Sequence, residues 1–354
     1  MDNSMWRWIA DESAINLIMA GLATWMLIGN IAICILVLSK GADWMIDGVV
    51  ALAQRTGLPK VVIGATIVSL GTTTPEAFVS VMAAWMGNPG LALGNGVGSI
   101  IADTGLIFGL TCLLTAVPMN RFILNRTGWV QVGSATLLVV ISAAAWLLSG
   151  GNPVLGRSIG IGFLVLLAGY MYMTYRWARQ EAAAIVGVEI QEAHERMSVP
   201  HCCVLIFAGL VLVIISARVL IPAASELALR LGVPDDVVAA TMVAFGTSLP
   251  ELMTAITAVR KGHPEITLGN IVGADVLNCL FVIGAAAAAR PLAVPPTFFY
   301  FHFPAMLIIL GSFRWFISIN HDNWFKTWQG AWLLAVYCVY VLLQYTTGAS
   351  VHGA

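Results

Sequence analysis

Long apolar runs, separated by short polar or Gly/Pro-containing segments, recur along the whole chain. A helix needs about 20 apolar residues to cross the hydrocarbon of a bilayer. Runs such as IGFLVLLAGYMYMTY do not alternate between polar and apolar positions, as the strands of a membrane barrel would. The pattern predicts an all-α polytopic membrane protein with about ten spans, at 18–56, 60–86, 91–116, 127–149, 156–177, 201–231, 235–261, 265–289, 297–319 and 327–347.

The composition agrees with this pattern. Of the 354 residues, 59% are hydrophobic and only 10% are charged, whereas soluble domains carry about a quarter charged residues. The charges are dispersed along the connections, so we infer no nucleic-acid or protein partner and no cofactor, and the partners expected are ions and the lipid bilayer. The first sixteen residues lack the basic start and the cleavage site of a signal peptide, so we expect them to be retained. The six cysteines show no CxxC spacing and are expected to be free thiols.

Two motifs occur twice. GTTTPE at 71–76 returns as GTSLPE at 246–251, and GNGVG at 94–98 returns as GNIVG at 269–273, both displaced by 175 residues. Five spans are predicted in each half, and because five is odd the second half must enter the membrane in the opposite orientation. We therefore expect two inverted repeats, 1–177 and 201–354, joined by a polar segment at 178–200 that is a cytoplasmic loop or an amphipathic helix. Many secondary transporters have this architecture, with the substrate bound near the middle of the membrane.

Basic residues between the spans indicate the orientation, because cytoplasmic loops carry an excess of Lys and Arg. If the polar loop is cytoplasmic, Arg7, Arg157, Arg230 and Arg290 lie outside, while Lys40 and Arg218, within the long first and sixth helices, are left uncounted. The residues inside are then Arg55, Lys60, Arg121, Arg126, Arg176, Arg179, Arg196, Arg260, Lys261, Arg314 and Lys326. This distribution predicts a protein of the plasma (inner) membrane with both termini outside.

The repeated GTxxPE motif places oxygen atoms beside a carboxylate within an apolar run. Pro75 removes a backbone donor, so the carbonyl of Gly71 loses its helical partner. Thr72 and Thr73 stand four and three residues before Glu76 and share a helix face with it. The second copy presents Gly246, Thr247, Ser248 and Glu251 in the same pattern. An oxygen-only set with carboxylates and carbonyls suits calcium.

The helix that follows each motif adds further polar groups. Ser99 and Asp103 are four residues apart, on one helix face, and the position equivalent to Asp103 in the second half is Asn278. The glycines of the GNxxG motifs have the small-xxx-small spacing that lets helices approach closely.

These paired motifs resemble those of the sodium/calcium exchangers of the calcium/cation antiporter superfamily. The resemblance implies a calcium site formed by Glu76 and Glu251 with the backbone carbonyls of Thr72 and Thr247. It also implies flanking sodium sites from the hydroxyls of Thr73, Ser99 and Ser248, the carbonyls of Ser69 and Ala244, and the side chains of Asp103 and Asn278. The implied function is secondary active antiport of Ca²⁺ for Na⁺ by alternating access, so the protein is not expected to be an enzyme.

The sequence departs from the family pattern at two places. Ala274 stands where the resemblance predicts serine, and Asp275 follows where the family usually has asparagine. Asp275 could replace the missing ligand or bind a proton, so Na⁺ and H⁺ both stay open as coupling ions. Like charges in low dielectric cannot all stay ionised, so we expect at least one site carboxylate to be protonated when calcium alone is bound, with Asp103 the first candidate.

The sequence leaves several functions other than sodium/calcium exchange to be distinguished. A proton/calcium exchanger is the main alternative. A cation channel would need a continuous wet pore, usually in a symmetric oligomer, and an intramembrane zinc enzyme would need His or Cys ligands that the motif faces do not carry. The motif acids could also be protonated structural groups that join helices.

Overall fold

The computed structural model describes residues 12–185, 197–231 and 248–346, and these residues are almost entirely helical. Eleven helices are described: α1 Glu12–Gly21, α2 Thr24–Thr56, α3 Lys60–Trp85, α4 Pro89–Leu114, α5 Arg121–Leu148, α6 Arg157–Ile185, α7 Val199–Arg230, α8 Leu249–Arg260, α9 Pro264–Ala289, α10 Phe298–Ile319 and α11 Thr327–Thr346. Four short strands lie in the connections: β1 Val117–Pro118, β2 Val154–Leu155, β3 Leu292–Ala293 and β4 Trp324–Phe325.

Eight of the described helices, α2 to α7, α9 and α10, are long and apolar enough to cross a membrane. Helices α8 and α11 occupy the positions of the other two predicted spans, although the predicted helix at 235–261 is described only from residue 248. Large apolar side chains face outwards from these helices: Leu36 is 70% exposed, Phe207 68% and Leu147 81%. The surface is thus apolar as lipid requires, and the predicted all-α membrane fold is confirmed.

The first predicted span, 18–56, is not one helix. The chain is helical up to Gly21, breaks at Leu22 and Ala23, and starts again at Thr24. Arg230, at the end of α7, donates to the carbonyls of Ala20 and Leu22, at 3.0 and 2.8 Å. These long-range hydrogen bonds satisfy carbonyl groups that the break frees.

Two other boundaries differ from the sequence prediction. Helix α5 begins at Arg121 rather than 127, because the side chain of Asn120 caps it by accepting a hydrogen bond from the Ile123 N–H, at 3.1 Å. Helix α6 ends at Ile185 rather than at 177, so it extends into the polar segment 178–200, for which the sequence predicts a loop or an amphipathic helix. The remainder of that segment, up to residue 196, lies outside the described residues.

The short strands join the two halves of the sequence at both ends of the helix bundle. β1, which follows α4, pairs antiparallel with β4, which precedes α11. β2, at the other end of α5, pairs antiparallel with β3, which follows α9. β1 and β3 are themselves 175 residues apart. Each pairing therefore joins one strand of the first half to one of the second.

Close helix contacts bring α9 against α3. A Cβ atom added to Gly273 would lie 2.5 Å from the Ala65 carbonyl oxygen and 2.6 Å from Ser69 Oγ. Gly269 is equally confined, against the backbone of Val61. The predicted close approach at these two glycines is confirmed, whereas no described residue lies within 4 Å of a Cβ on Gly98. The approach places the second GNxxG motif directly against the helix that carries Glu76.

The main core lies beside this crossing, between α4, α9 and α10. Phe108 of α4 meets the ring of Phe313 edge-on, with centroids 5.0 Å apart, and that of Phe325, at 4.9 Å. All three rings are buried. Because interiors are packed as densely as organic crystals, this apolar wall fixes the part of α4 that follows Asp103.

Candidate cation site

Four helices, α3, α4, α8 and α9, bring the repeated motifs together in the centre of the protein. Every predicted site residue that the structure describes is buried, with at most 5% of its surface exposed. These residues are Ser69, Thr72, Thr73, Glu76, Ser99, Asp103, Ser248, Glu251, Asp275 and Asn278. Thr247 and Ala244, also predicted to be ligands, lie outside the described residues, as does Gly246.

The helices are irregular where two of these residues lie. In α4 the segment Asp103–Phe108 is π-helical, and in α9 the segment Asn278–Val282 is π-helical as well. The two segments begin 175 residues apart, at Asp103 and at Asn278. π-Helical turns are rare, occur frequently at functional sites and leave local backbone groups outside the regular α-helical pattern. The structure thus marks the acid and the amide as equivalent positions.

Helix α3 contains a third π-helical segment, Gly64–Val68, one turn before the first motif. The motif itself is α-helical from Ser69 onwards, with Pro75 inside the helix. The irregular part of α3 therefore precedes the proline, and the helix does not end at Gly71, although the missing Pro75 donor still leaves the Gly71 carbonyl without its usual partner.

The carboxylates of the site lie within electrostatic range of one another. Glu76 interacts with Glu251 and with Asp103, and Asp103 interacts with Glu251 and with Asp275. Within 12–185, 197–231 and 248–346, no three His, Cys, Asp or Glu side chains lie close enough together to hold one metal ion by themselves. Among the described residues, the acids are spread over an extended region rather than gathered in a compact cluster.

Unpartnered oxygens concentrate in this region. In the described parts of the chain, one side-chain oxygen makes no hydrogen bond in each of these site residues: Thr73, Glu76, Ser99, Asp103, Ser248, Glu251, Asp275 and Asn278. Buried polar atoms are normally hydrogen-bonded, and each exception needs an explanation. Hard oxygen atoms from carboxylates, hydroxyls and an amide are the ligands that calcium prefers and that other hard cations share.

Thr72 connects the two halves within the site. Its hydroxyl lies 3.4 Å from the Ser69 carbonyl oxygen and 3.5 Å from Asn270 Oδ1. The hydroxyl also lies beside the carboxylate of Glu251. The hydroxyl of Thr72 therefore contacts residues of both halves. Ser248 lies beside the Asp103 carboxylate, although its hydroxyl completes no hydrogen bond with the described residues.

The structure adds residues to the site that the repeated motifs do not predict as ligands. Asn95 donates to the carbonyl oxygen of Glu76, at 3.1 Å, and to Ser80 Oγ, at 2.9 Å. Thr104 and Gln131 both donate to Asp275 Oδ2. The asparagine could have been found because Asn95 and Asn270 recur in the GNxxG motifs. Gln131 gave no such signal, because α5 carries neither motif.

Comparisons with known proteins agree on one family. The family model described as sodium/calcium exchanger protein matches residues 26–176 and 201–346. The sodium/calcium exchanger MaX1 of Methanosarcina acetivorans is 26% identical over 335 residues, covering 87% of this chain and 95% of that protein. The inner membrane protein YrbG of Escherichia coli is 30% identical over 292 residues, covering 81% of this chain and 86% of YrbG. A structure of the sodium-calcium exchanger NCX_Mj, soaked with Na⁺ and Sr²⁺, superposes with a TM-score of 0.75 at 25% identity, covering 90% of this chain and 99% of that one.

Proposed function

The chain belongs to the sodium/calcium exchanger family, and from this premise we propose that it is a secondary active antiporter that exchanges Ca²⁺ for Na⁺ by alternating access. One observation carries the proposal most directly. In the part of the chain that the structure describes, eight buried oxygen atoms without hydrogen bonds come from the residues that the two motif pairs place on α3, α4, α9 and at the start of α8. Ions that bring positive charge to these oxygens would offset the cost of burying them.

Calcium is assigned to the two glutamates. Glu76 and Glu251 lie on different helices, are 1% and 2% exposed, and interact electrostatically across the site. Two carboxylates balance the charge of one divalent cation, and the carbonyls of Thr72 and Thr247 would complete its coordination with neutral oxygens. Binding calcium would thus remove the repulsion between the glutamates.

The coupling ions are assigned to the residues around this centre. The oxygens proposed for them come from hydroxyls, carbonyls, one amide and two further acids: Thr73, Ser99, Ser248, Ser69, Ala244, Asn278, Asp103 and Asp275. Na⁺ needs fewer negative charges than Ca²⁺ does, and this outer set is rich in neutral oxygens. Alternating occupation of shared carboxylates would make the binding of Ca²⁺ and Na⁺ mutually exclusive, which an antiporter requires.

The membrane arrangement is part of the proposal. We place the protein in the inner membrane with both termini outside and the polar connection in the cytoplasm, and treat 1–177 and 201–354 as inverted repeats. Support comes from the eleven basic residues assigned to one side against four on the other, and from strand pairs that join the halves at both ends of α5. Cysteine substitution at Ser149 and at Asn125, near opposite ends of α5, followed by labelling with an impermeant thiol reagent in intact cells, tests it.

Proton/calcium exchange is the second candidate, because Asp275 adds a fourth buried carboxylate near Asp103. The deciding experiment is calcium uptake into liposomes containing the purified protein, with sodium and pH gradients imposed separately. Sodium-calcium exchange predicts uptake that requires Na⁺ inside and is independent of a pH gradient. Uptake that follows only the pH gradient identifies proton coupling, and non-saturating flux without any counter-ion identifies a channel.

A further inference from the structure

Gln131 reaches the cation site from α5, a helix outside the repeated motifs. Its side chain is only 1% exposed. Nε2 lies 2.5 Å from Asp275 Oδ2 and 3.4 Å from Thr104 Oγ1. The Thr104 hydroxyl donates to the same oxygen of Asp275, at 2.5 Å. Two donors from two different helices therefore converge on a single carboxylate oxygen.

The other oxygen of this carboxylate, Asp275 Oδ1, has no hydrogen-bond partner in the described part of the chain. Because Oδ2 is held by two donors, the carboxylate is restricted to one orientation and Oδ1 has a fixed direction. Burying a carboxylate oxygen without a hydrogen bond costs free energy unless a positive charge or a hydrogen-bond donor lies next to it. The arrangement suits an acid that is positioned to receive a cation on one side only.

Further oxygens lie around Asp275. Asn278 is three residues later on α9, on the same helix face, and its Oδ1 is also without a hydrogen bond among the described residues. Asp103 interacts electrostatically with Asp275, and Asp103 Oδ1 likewise has no hydrogen-bond partner among the described residues. The local donor set is thus one fixed carboxylate oxygen with a neutral amide oxygen, beside Asp103, which also lies near Glu251 of the proposed calcium pair. One negative charge with neutral oxygens matches a monovalent hard cation better than a divalent one.

We propose that Asp275 Oδ1 and Asn278 Oδ1 bind a sodium ion, and that Gln131 is a positioning residue that, together with Thr104, aims Asp275 at this ion. The inference rests on the proposed exchange function and adds α5 to the elements that determine its ion selectivity. Partners that orient a metal ligand contribute about 10- to 100-fold to metal affinity. Loss of the Gln131 amide therefore weakens sodium binding while the glutamate pair that binds calcium stays intact.

The test compares Na⁺ and Ca²⁺ binding to purified protein by ion-dependent thermal stabilisation at constant ionic strength, with choline replacing Na⁺. Gln131→Leu and Asp275→Asn are expected to raise the half-saturating Na⁺ concentration about tenfold or more, and to change that for Ca²⁺ by less than about twofold. The double variant is expected to lose little more than either single variant, because both substitutions remove one interaction. Ser142→Ala, which changes another buried polar side chain of α5, serves as the control and is expected to bind both ions as wild type.

Wild-type Na⁺ affinity in folded Gln131→Leu overturns the inference, and so does an equal loss of Na⁺ and Ca²⁺ affinity, which a merely structural role would give. If Gln131→Leu does not yield folded protein, Thr104→Val removes the other donor to Asp275. Wild-type Na⁺ affinity in Thr104→Val, or an equal loss of Na⁺ and Ca²⁺ affinity, then overturns the inference. Sodium-driven calcium uptake by wild-type protein in liposomes tests the proposed function separately. Absence of that uptake, together with selective loss of Na⁺ binding in the variants, refutes sodium-driven exchange but leaves the site assignment standing.

Discussion

Thr72 of the first GTxxPE motif is in contact with Asn270 of the second GNxxG motif, with Thr72 Oγ1 3.5 Å from Asn270 Oδ1. The same hydroxyl lies beside the carboxylate of Glu251. A residue that precedes Glu76 by one helical turn is thus a neighbour of the glutamate of the opposite half. The proposed calcium ligands are therefore not independent, because a residue of the first motif lies against residues of the second half.

Thr72→Val tests this role of the hydroxyl. Valine keeps the shape and the backbone carbonyl but removes the hydroxyl that lies beside the Glu251 carboxylate and can donate to it. Because a hydrogen bond to a charged group contributes about 1.5 kcal/mol or more, we expect calcium affinity to fall about tenfold. Calcium titration of purified protein measures the effect. Thr74→Val is the matched control, since the exposed Thr74 hydroxyl bonds only its own helix, at the Leu70 carbonyl; an equal loss in both variants would contradict the assignment.

The glutamates themselves have a larger predicted effect. Glu76→Gln or Glu251→Gln removes one of the two charges that compensate a divalent cation in a buried site. Breaking a buried charge pairing costs about 3–5 kcal/mol, so calcium affinity falls more than about a hundredfold and transport is lost. Calcium uptake into liposomes measures this. Glu226→Gln, which alters an ion pair with Arg230 at the end of α7, is expected to transport normally, and substantial uptake by either site variant would refute the central calcium site.

Asp103→Asn separates the two ion classes. The amide still offers an oxygen but carries no charge, so we expect calcium binding to persist and the dependence on the monovalent ion to change more than that on calcium. Protons should also compete with calcium for the glutamates, so lowering the pH should raise the calcium concentration needed for half-saturation in both proteins. Calcium affinity measured at several pH values tests both statements. Complete loss of calcium binding in Asp103→Asn would make Asp103 an essential charged calcium ligand.

Gly273→Ala tests the helix crossing that supports the site. The added methyl group would meet the Ala65 carbonyl and the Ser69 hydroxyl at distances that require α3 and α9 to separate. Overpacking of this kind costs about 1–3 kcal/mol, so we expect a lower unfolding temperature and reduced transport. Gly133→Ala on α5, where nothing described lies within 4 Å, should not lower stability, because alanine favours helix over glycine. Thermal unfolding in detergent compares the two, and equal stability would show that the crossing is adaptable.

Local signals in the sequence were sufficient for the positions of most helices and for the burial of the motif residues. Apolar runs determine the spans, and repeated Gly, Pro and Glu positions locate the site on them. The break before Thr24 could not be predicted, because it is satisfied by Arg230, more than 200 residues away. The π-helical turns that begin at Asp103 and Asn278 depend on packing between helices. The pattern of hydrophobic residues along the sequence does not predict that packing.

Gln131 illustrates the same limit at the candidate site. On α5 it is one of several polar residues in a mostly apolar span, and it belongs to neither repeated motif. Only the folded structure places it against Asp275, 144 residues later. Asp275 itself was recognised from the sequence as an additional acid, but its orientation was not, because that orientation depends on donors from α4 and α5.

The cross-half strand pairs have a consequence for biosynthesis. Val154 and Leu155 find their partners only when residues 292–293 have been made, and Val117 and Pro118 must wait for 324–325. A nascent chain that has inserted its first five spans therefore still lacks the backbone partners of both connections. The two connections of the first half therefore gain these backbone partners only after nearly the whole chain has been synthesised. The folding of each half is thus completed by pairing with the other.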